Sequence, residues 1–215
     1  MSEAIKISAL TLSEVKQRFG LEEVRDPAFF SEWQGALPEN SSLERLWLDK
    51  LKEDFLSLEQ YPIHEELVKM AMLGPLLSLA GFFRYPFYPK AEAEVFFTAE
   101  DGEEIAKGRI DVLVVREQFW VTVVESKNKR FSLIEAIPQA LTYMMTSPNT
   151  GLSTFGLVTN GTHFAFLKLE RDGSPKYAVS DEMSLKRREN DLYSVLSVLR
   201  KLGEIVVEWE SSLSA

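Results

Sequence analysis

The chain has 215 residues, no cysteine and a formal net charge of −9, with 45% hydrophobic and 27% charged residues. That length suits one domain with an appendage or two small domains, and the lack of cysteine excludes disulfides and thiolate chemistry and fits a cytoplasmic protein. The acidic balance argues against an indiscriminate DNA-coating protein, though local basic patches and a metal cleft can still work inside an acidic chain.

Thr11-Leu-Ser-Glu14 has the form of a capping box, with Val15 and Phe19 as a short apolar stripe before Gly20. Asp26-Pro27 can start a second helix containing Phe29, Phe30 and Trp33. From Ser42 on, Leu43, Leu46, Trp47, Leu51, Phe55 and Leu58 recur at amphipathic spacing. Residues 1–60 therefore read as a helical N-terminal extension with no catalytic pattern, either packed on the remainder, 61–215, or serving as a partner-binding module.

His64 to Phe83 predicts a mostly buried helix that Gly74-Pro75 kinks or splits. Lys69, Gly74-Pro75 and Ser78 interrupt its apolar run, so no membrane span is expected, and the N-terminus lacks a signal-peptide pattern. The aromatic run Phe82, Phe83, Tyr85, Phe87, Tyr88 can stack bases, but packing in a core or loop is the more ordinary use. Glu92 to Thr98 reads as a strand and Asp101-Gly102 as a hairpin turn.

Gly108 to Ser126 reads as two strands around a tight turn near Glu117 and Gln118. Ser132-Leu-Ile-Glu135 is another capping box, and Leu133, Ile137, Ala140, Leu141 and Met144 form a helical stripe. Pro138 in its second turn predicts a distortion or a later start. Ser153 to Val158 and Phe164 to Leu169 are strands around Asn160-Gly161, with His163 as an edge-strand residue. Asp191 to Trp209 closes the chain as a helix, with a frayed tail from Ser211.

The chemistry concentrates where ionisable residues interrupt apolar strands: Asp111 on one, Glu125 and Lys127 on the next. Buried charge without partners costs several kcal/mol or more, so such groups are paired, bound to metal or set in a cleft. Pairing Arg116 with Phe119 across a two-residue turn would set Asp111 opposite Val124, on the wrong face. A three-residue loop or a bulge is needed to set it opposite Glu125. Two converging carboxylates repel, and hard oxygen ligands favour Mg²⁺ or Mn²⁺. An ammonium beside such an ion can hold or polarise water for attack on a phosphodiester. The alternative is a structural salt-bridge cluster of the same residues.

Asp111, a short hairpin, Glu125-x-Lys127 and then Gln139-x-x-x-Tyr143 on a helix resemble the PD-(D/E)XK nuclease superfamily. The nearest resemblance is to the N-terminal nuclease domain of type I restriction enzyme R subunits and stand-alone relatives. It covers roughly residues 62 to 170; the proline of the family name is absent, since Ile110 precedes Asp111. The resemblance implies an α/β fold, a restriction-endonuclease-like mixed central sheet flanked by helices, ordered helix, three-strand meander, helix, two strands, helix. It implies metal-dependent DNA hydrolysis, with Asp111, Glu125 and the Ser126 carbonyl as Mg²⁺ or Mn²⁺ ligands and Lys127 orienting water. Gln139 and Tyr143 then position the lysine or a DNA phosphate. Related domains carry a glutamate on a first helix with a Pro-x-Leu…Gly-aromatic ending, which Pro75, Leu77, Gly81 and Phe82 match. Glu66 is then the further ligand candidate, with Glu65 close behind, unless both are simply a solvated first turn favoured by the helix dipole.

Lys129, Arg130 and the run Lys186-Arg187-Arg188 are basic candidates for DNA phosphates, although such runs are usually solvated. The implied partners are DNA and a separate motor or methyltransferase subunit, with a homo-oligomer also open. No G-x-x-x-x-G-K-[ST] pattern occurs, so the chain does not translocate DNA by itself. A catalytically inactive nucleic-acid- or protein-binding protein of the same fold is the competing reading.

Overall fold

The computed structural model describes residues 6–33, 35–98, 105–116, 119–126, 132–148 and 151–213. Within these ranges the side chains of 97–98, 105–106, 119, 121–126 and 210–213 lie outside the description.

A 3₁₀ turn (Ile7–Ala9) leads to α1 (Leu12–Phe19), which begins at the expected capping box: Thr11 Oγ1 accepts from the Glu14 N–H while Glu14 accepts from the Thr11 N–H. Gly20 ends it at φ 61°, the left-handed conformation that glycine adopts without steric cost. After β1 (Glu22–Glu23), Pro27–Trp33 forms 3₁₀ turns, with Phe30 outside helical geometry, in place of the expected helix. Asp26 Oδ1 accepts from the Ala28 N–H at 2.9 Å, a local bond that favours a turn over a helix.

Helix α2 (Ser42–Ser57) starts at Ser41, which forms a capping box with Glu44. Its buried face is Leu48 and Phe55, whereas Leu43, Leu46 and Trp47 are 64%, 65% and 59% exposed. The expected stripe is thus only half correct. Leu48, Leu51, Phe55 and Leu58 form a second helical stripe, and that is the one turned to the core. A 3₁₀ turn (Leu58–Gln60) follows.

The interrupted helix is neither split nor simply kinked. It runs as α3 (Glu65–Val68), a π turn (Lys69–Leu73) and α4 (Gly74–Leu79). In the π turn the Gly74 N–H bonds to the Lys69 carbonyl, one residue further back than in an α-helix. Widening the spiral just before Pro75 relieves the crowding that a proline ring imposes on the preceding turn.

The remaining elements are β2 (Tyr88–Thr98), β3 (Ile105–Arg116), β4 (Phe119–Ser126), α5 (Leu133–Met145), β5 (Thr154–Thr159), β6 (His163–Glu170), β7 (Lys176–Val179), β8 (Met183–Ser184) and α6 (Leu192–Leu213). Asp101 and Gly102 lie outside the described residues. Helix α5 starts at Leu133, capped by Ser132 through the Ile134 N–H, and includes Pro138 rather than starting after it. Helix α6 continues to Leu213, past the Ser211 at which fraying was expected.

The fold is mixed α/β: an eight-stranded sheet in the order β1-β7-β6-β5-β4-β3-β2, with β8 added to β6. The expected meander is β2-β3-β4; β4/β5 and β1/β7 are parallel and the other pairs antiparallel. Strands β1, β7 and β8 are additions too short for sequence alternation to reveal. Of these, β7 and β8 both pair with β6 and make it an interior strand, and His163 stands opposite Ser184 of β8 rather than on an edge.

Alternation in β5 and β6 divides the interior. Phe155, Leu157, Phe164 and Phe166 pack with α2, α4 and α6, while Val158, Ala165, Leu167 and Leu169 pack with α1 and α5. Burying each of the phenylalanine, leucine and valine side chains contributes about 1.5–3 kcal/mol. The Asn160-Gly161 turn forms as expected: Asn160 Oδ1 accepts from the Thr162 and His163 N–H groups, and Gly161 lies at φ 85°. A Cβ on Gly161 would stand 2.2 Å from the Phe55 ring, so this glycine also admits α2 against the sheet.

Candidate functional site

The site is built where β2, β3 and β4 lie side by side. Arg116 pairs with Phe119, which brackets a two-residue connection, and that register alone would carry Asp111 to Val124. A bulge between Val114 and Val115 changes the outcome: Val115 pairs with Trp120 but Val114 with Thr122, leaving Val121 as the extra residue. Beyond it Val112 pairs with Val124, the last pair of the ladder, with Asp111 and Glu125 each one residue past it. The bulge is the irregularity that the converging arrangement required. On its other edge β4 runs parallel to β5, with Glu125 opposite Val158 and Ser126 opposite Thr159. Lys127, Lys129 and Arg130 fall outside the described residues.

On the opposite side of Asp111, β2 brings Glu92 to the same level, between the pairs Ala91–Val112 and Ala93–Ile110. Glu92 has φ 53°, a left-handed conformation that a side-chain-bearing residue adopts at a cost and that recurs at functional sites. Backbone register therefore sets Glu92 and Asp111 level on adjacent strands, and Glu125 lies one residue beyond the last β3–β4 pair.

A lysine closes the cluster. Lys69, the first residue of the π turn, places Nζ 2.9 Å from Asp111 Oδ1, 2.9 Å from Glu92 Oε1 and 3.0 Å from Glu65 Oε1. Asp111 is only 7% exposed, so this ammonium offsets much of the cost of its burial. Burial depresses the Lys69 ammonium, but hydrogen bonds to Asp111, Glu92 and Glu65 outweigh it and hold the group above the usual lysine range. The Lys69 hydrogen bond, helped by Arg109 and opposed by burial, lowers Glu92. Arg109 Nη1 also donates to Glu92 Oε2 at 3.2 Å. Of the two glutamates at the start of α3, Glu65 joins this cluster, while Glu66 is exposed.

Gln139 and Tyr143 meet one turn apart on α5. Gln139 Nε2 donates to Tyr143 Oη at 2.8 Å, and the same oxygen accepts from the Arg109 N–H at 3.2 Å. Both side chains are buried, and they anchor α5 to β3 two residues from Asp111. Gly108 makes that approach possible, because a Cβ there would stand 2.6 Å from Tyr143 Cε1 and 2.8 Å from Ile7 Cδ1.

Lys186, Arg187 and Arg188 are exposed between β8 and α6. Lys186 lies 3.9 Å from Glu59 and Arg187 3.4 Å from Asp191, and Lys52 holds the loop through the Arg187 and Glu189 carbonyls. This run adjoins β6, three strand spacings from β3, or roughly 14 Å of sheet.

Among the described residues no three His, Asp or Glu side chains form a group arranged to hold a metal ion. Three carboxylates, of Asp111, Glu92 and Glu65, instead converge on one cationic point at Lys69 Nζ. Lys69 and Glu92 escaped the sequence reading. Lys69 registered only as an interruption of an apolar run, and a lone lysine on a buried helix was the one local signal that it needs a carboxylate partner.

No family model matches the chain, and no curated protein matches it. Among solved structures the chain is similar to a fragment assigned to the HsdR subunit of a type I restriction enzyme from Vibrio vulnificus YJ016. The identity is 18% and the TM-score 0.41, over 66% of this chain and 26% of that one. The chain thus spans about a quarter of that structure's length. Among the described residues no helix is long and apolar enough to cross a membrane.

Proposed function

We propose that this protein is a metal-dependent phosphodiesterase acting on DNA, with its site at the junction of β2, β3 and β4. The observation that carries the reading is the meander, whose bulge ends the β3–β4 pairing at Val112–Val124, one residue short of Asp111 and Glu125, while Lys69 gathers Asp111, Glu92 and Glu65 around one point. That concentration of hard oxygen donors supports a Mg²⁺ or Mn²⁺ site made by Asp111 and Glu125 with the Ser126 carbonyl, and with Glu65 or Glu66 from the first helix. A bound ion supplies neutralisation of the charge that develops on the phosphoryl oxygens.

Lys127, two residues beyond Glu125, holds the attacking water and adds positive charge where the transition state gathers negative charge. Gln139 and Tyr143 set the position of β3 through the Arg109 N–H, and so act as positioning residues. Lys69 keeps the carboxylates of Glu65, Glu92 and Asp111 together, and a divalent ion held by Asp111 would compete with it for that oxygen. Lys129, Arg130 and the Lys186–Arg188 run are proposed phosphate contacts, and a separate motor or methyltransferase subunit is the proposed partner.

A second reading has its own observation. Asp111 is already neutralised by Lys69, which suits a catalytically inactive nucleic-acid- or protein-binding protein of the same fold. The deciding experiment is a nuclease assay on linear, circular and single-stranded DNA with Mg²⁺ or Mn²⁺. Metal-dependent cleavage that Glu125→Ala abolishes is expected; no cleavage on any substrate with either ion selects the second reading.

A further inference from the structure

The aromatic run after α4 divides in two. Phe82 is fully buried and packs edge-on against Phe87 at 5.2 Å, so these two rings anchor the segment to the core. The alternate rings face solvent: Phe83 is 53% exposed, Tyr85 96% and Tyr88 63%, and Met70, next to Lys69, is 71% exposed. Single exposed apolar residues are ordinary, but several within one short segment mark an interaction surface. Two cations are interleaved with them. Arg84 and Lys90 are exposed, and neither makes an ion pair among the described residues. Tyr88 starts β2 and Glu92 follows four residues later, roughly 13 Å along it, but Tyr88 and Lys90 stand opposite Val115 and Leu113 on the α1/α5 face of the strand, whereas Glu92 meets Lys69 on the α3 side.

We infer that Phe83, Arg84, Tyr85, Tyr88 and Lys90 form a platform for single-stranded nucleic acid. Bases stack on the rings and the two cations meet phosphates. Charge complementarity selects this occupant. In a chain of net charge −9 a polyanion is repelled over most of the surface, so it binds where cations lack carboxylate partners. Flat exposed rings suit unpaired bases, whose faces a duplex keeps stacked inside. That the bound strand is a substrate rests on the phosphodiesterase reading above; the binding itself does not.

The test is titration of the full chain, in EDTA, with fluorescent oligothymidylate and with the same strand annealed to oligodeoxyadenylate. Single-strand binding tighter than duplex binding is expected. Tyr85→Ala and Tyr88→Ala should each weaken it about tenfold, while Tyr85→Phe retains it. Arg84→Gln and Lys90→Gln should each lower the salt dependence by about one phosphate contact. Exposed tyrosines leave the fold intact on substitution, which circular dichroism verifies. Equal affinity in both alanine variants, or preference for duplex, overturns the platform. So does self-association that Tyr85→Ala removes without any oligonucleotide binding, which would make the patch an interface between copies. Tyrosine-dependent strand binding with no cleavage in Mg²⁺ leaves the platform standing and removes the phosphodiesterase reading; cleavage indifferent to the tyrosines does the reverse.

Discussion

Lys69 Nζ and Asp111 Oδ1, 42 residues apart in sequence, stand 2.9 Å from each other, and this contact ties the π turn to the centre of the β2-β3-β4 meander. It also brings a cation into the place where a divalent ion would compete for the same oxygen. Lys69→Met keeps the length of the stem and removes the charge. In EDTA the variant should lose about 1.5–3 kcal/mol of stability, because a buried carboxylate loses its charged hydrogen bond. Millimolar Mg²⁺ should then stabilise the variant more than the parent, since binding to the folded cleft alone raises stability and no ammonium opposes it. Urea melts in EDTA and Mg²⁺ check this, and an identical Mg²⁺ response in both proteins would sink the idea of competition.

Acid sensitivity has a separate origin. Glu44 on α2 holds Arg200 of α6, and the Arg200 hydrogen bond, with Ser41 and against burial, lowers the Glu44 carboxyl to about 2. A carboxyl depressed in the folded state adds stability that is present above its unfolded value and lost as pH falls through the folded one. Between about pH 4.5 and pH 2 this pair should therefore release its contribution, about 1 kcal/mol after allowance for solvent screening. Glu92, also lowered, adds to the loss in the same direction, at acid pH. Glu44→Gln should lower stability at neutral pH and flatten its acid limb. Denaturant melts at neutral pH and pH 3 measure both, and an unchanged slope would reject this assignment.

At Gly108 the Tyr143 ring occupies the space of a Cβ, so Gly108→Ala forces either the ring or β3 to move. Overpacking of this kind costs about 1–3 kcal/mol. Tyr143→Phe keeps the ring and removes the oxygen that accepts from Gln139 and the Arg109 N–H, at a cost of about 1 kcal/mol. Because both changes loosen the same contact, the double variant should lose less than the sum of the two. Strict additivity in melts would show that Gly108 and Tyr143 act separately.

The sequence carried the local features well and the long-range ones poorly. Capping at Thr11 and Ser132 and the Asn160-Gly161 turn depend on neighbours within a few residues; the box at Thr11 and the turn formed, while Ser132 caps α5 through the Ile134 N–H without the expected box to Glu135. The meander followed from alternation, but its register did not, because the short connection at Arg116–Phe119 and the bulge at Val114/Val115 move Asp111 in opposite directions. In α2, two overlapping apolar stripes satisfied the same period, and only packing against α6 and the β5-β6 turn chose Leu48 and Phe55. The same limit hid Lys168. It is buried in β6 against Glu32 at 2.6 Å, Glu170 at 2.8 Å and the Phe29 carbonyl at 2.8 Å, partners that mostly come from far away in sequence.

The two lysines assigned to the carboxylates separate structure from chemistry. Lys69 already bonds three of the acids, so its removal should register in stability and metal response. Lys127 carries the proposed water-orienting role, which matters only as charge develops at the phosphorus. Lys127→Ala should therefore cut cleavage at least a hundredfold, while DNA affinity in Ca²⁺ or EDTA stays within about twofold, because binding relies on phosphate contacts spread over other cations. Lys69→Met should retain cleavage once Mg²⁺ is raised to saturation. Single-turnover cleavage over a Mg²⁺ series, alongside DNA-binding titrations of each variant, reads out both roles. If Lys127→Ala cleaves like the parent and Lys69→Met is dead at every Mg²⁺ concentration, the assignments are reversed, and the water-holding ammonium is that of Lys69 in the π turn rather than that of Lys127.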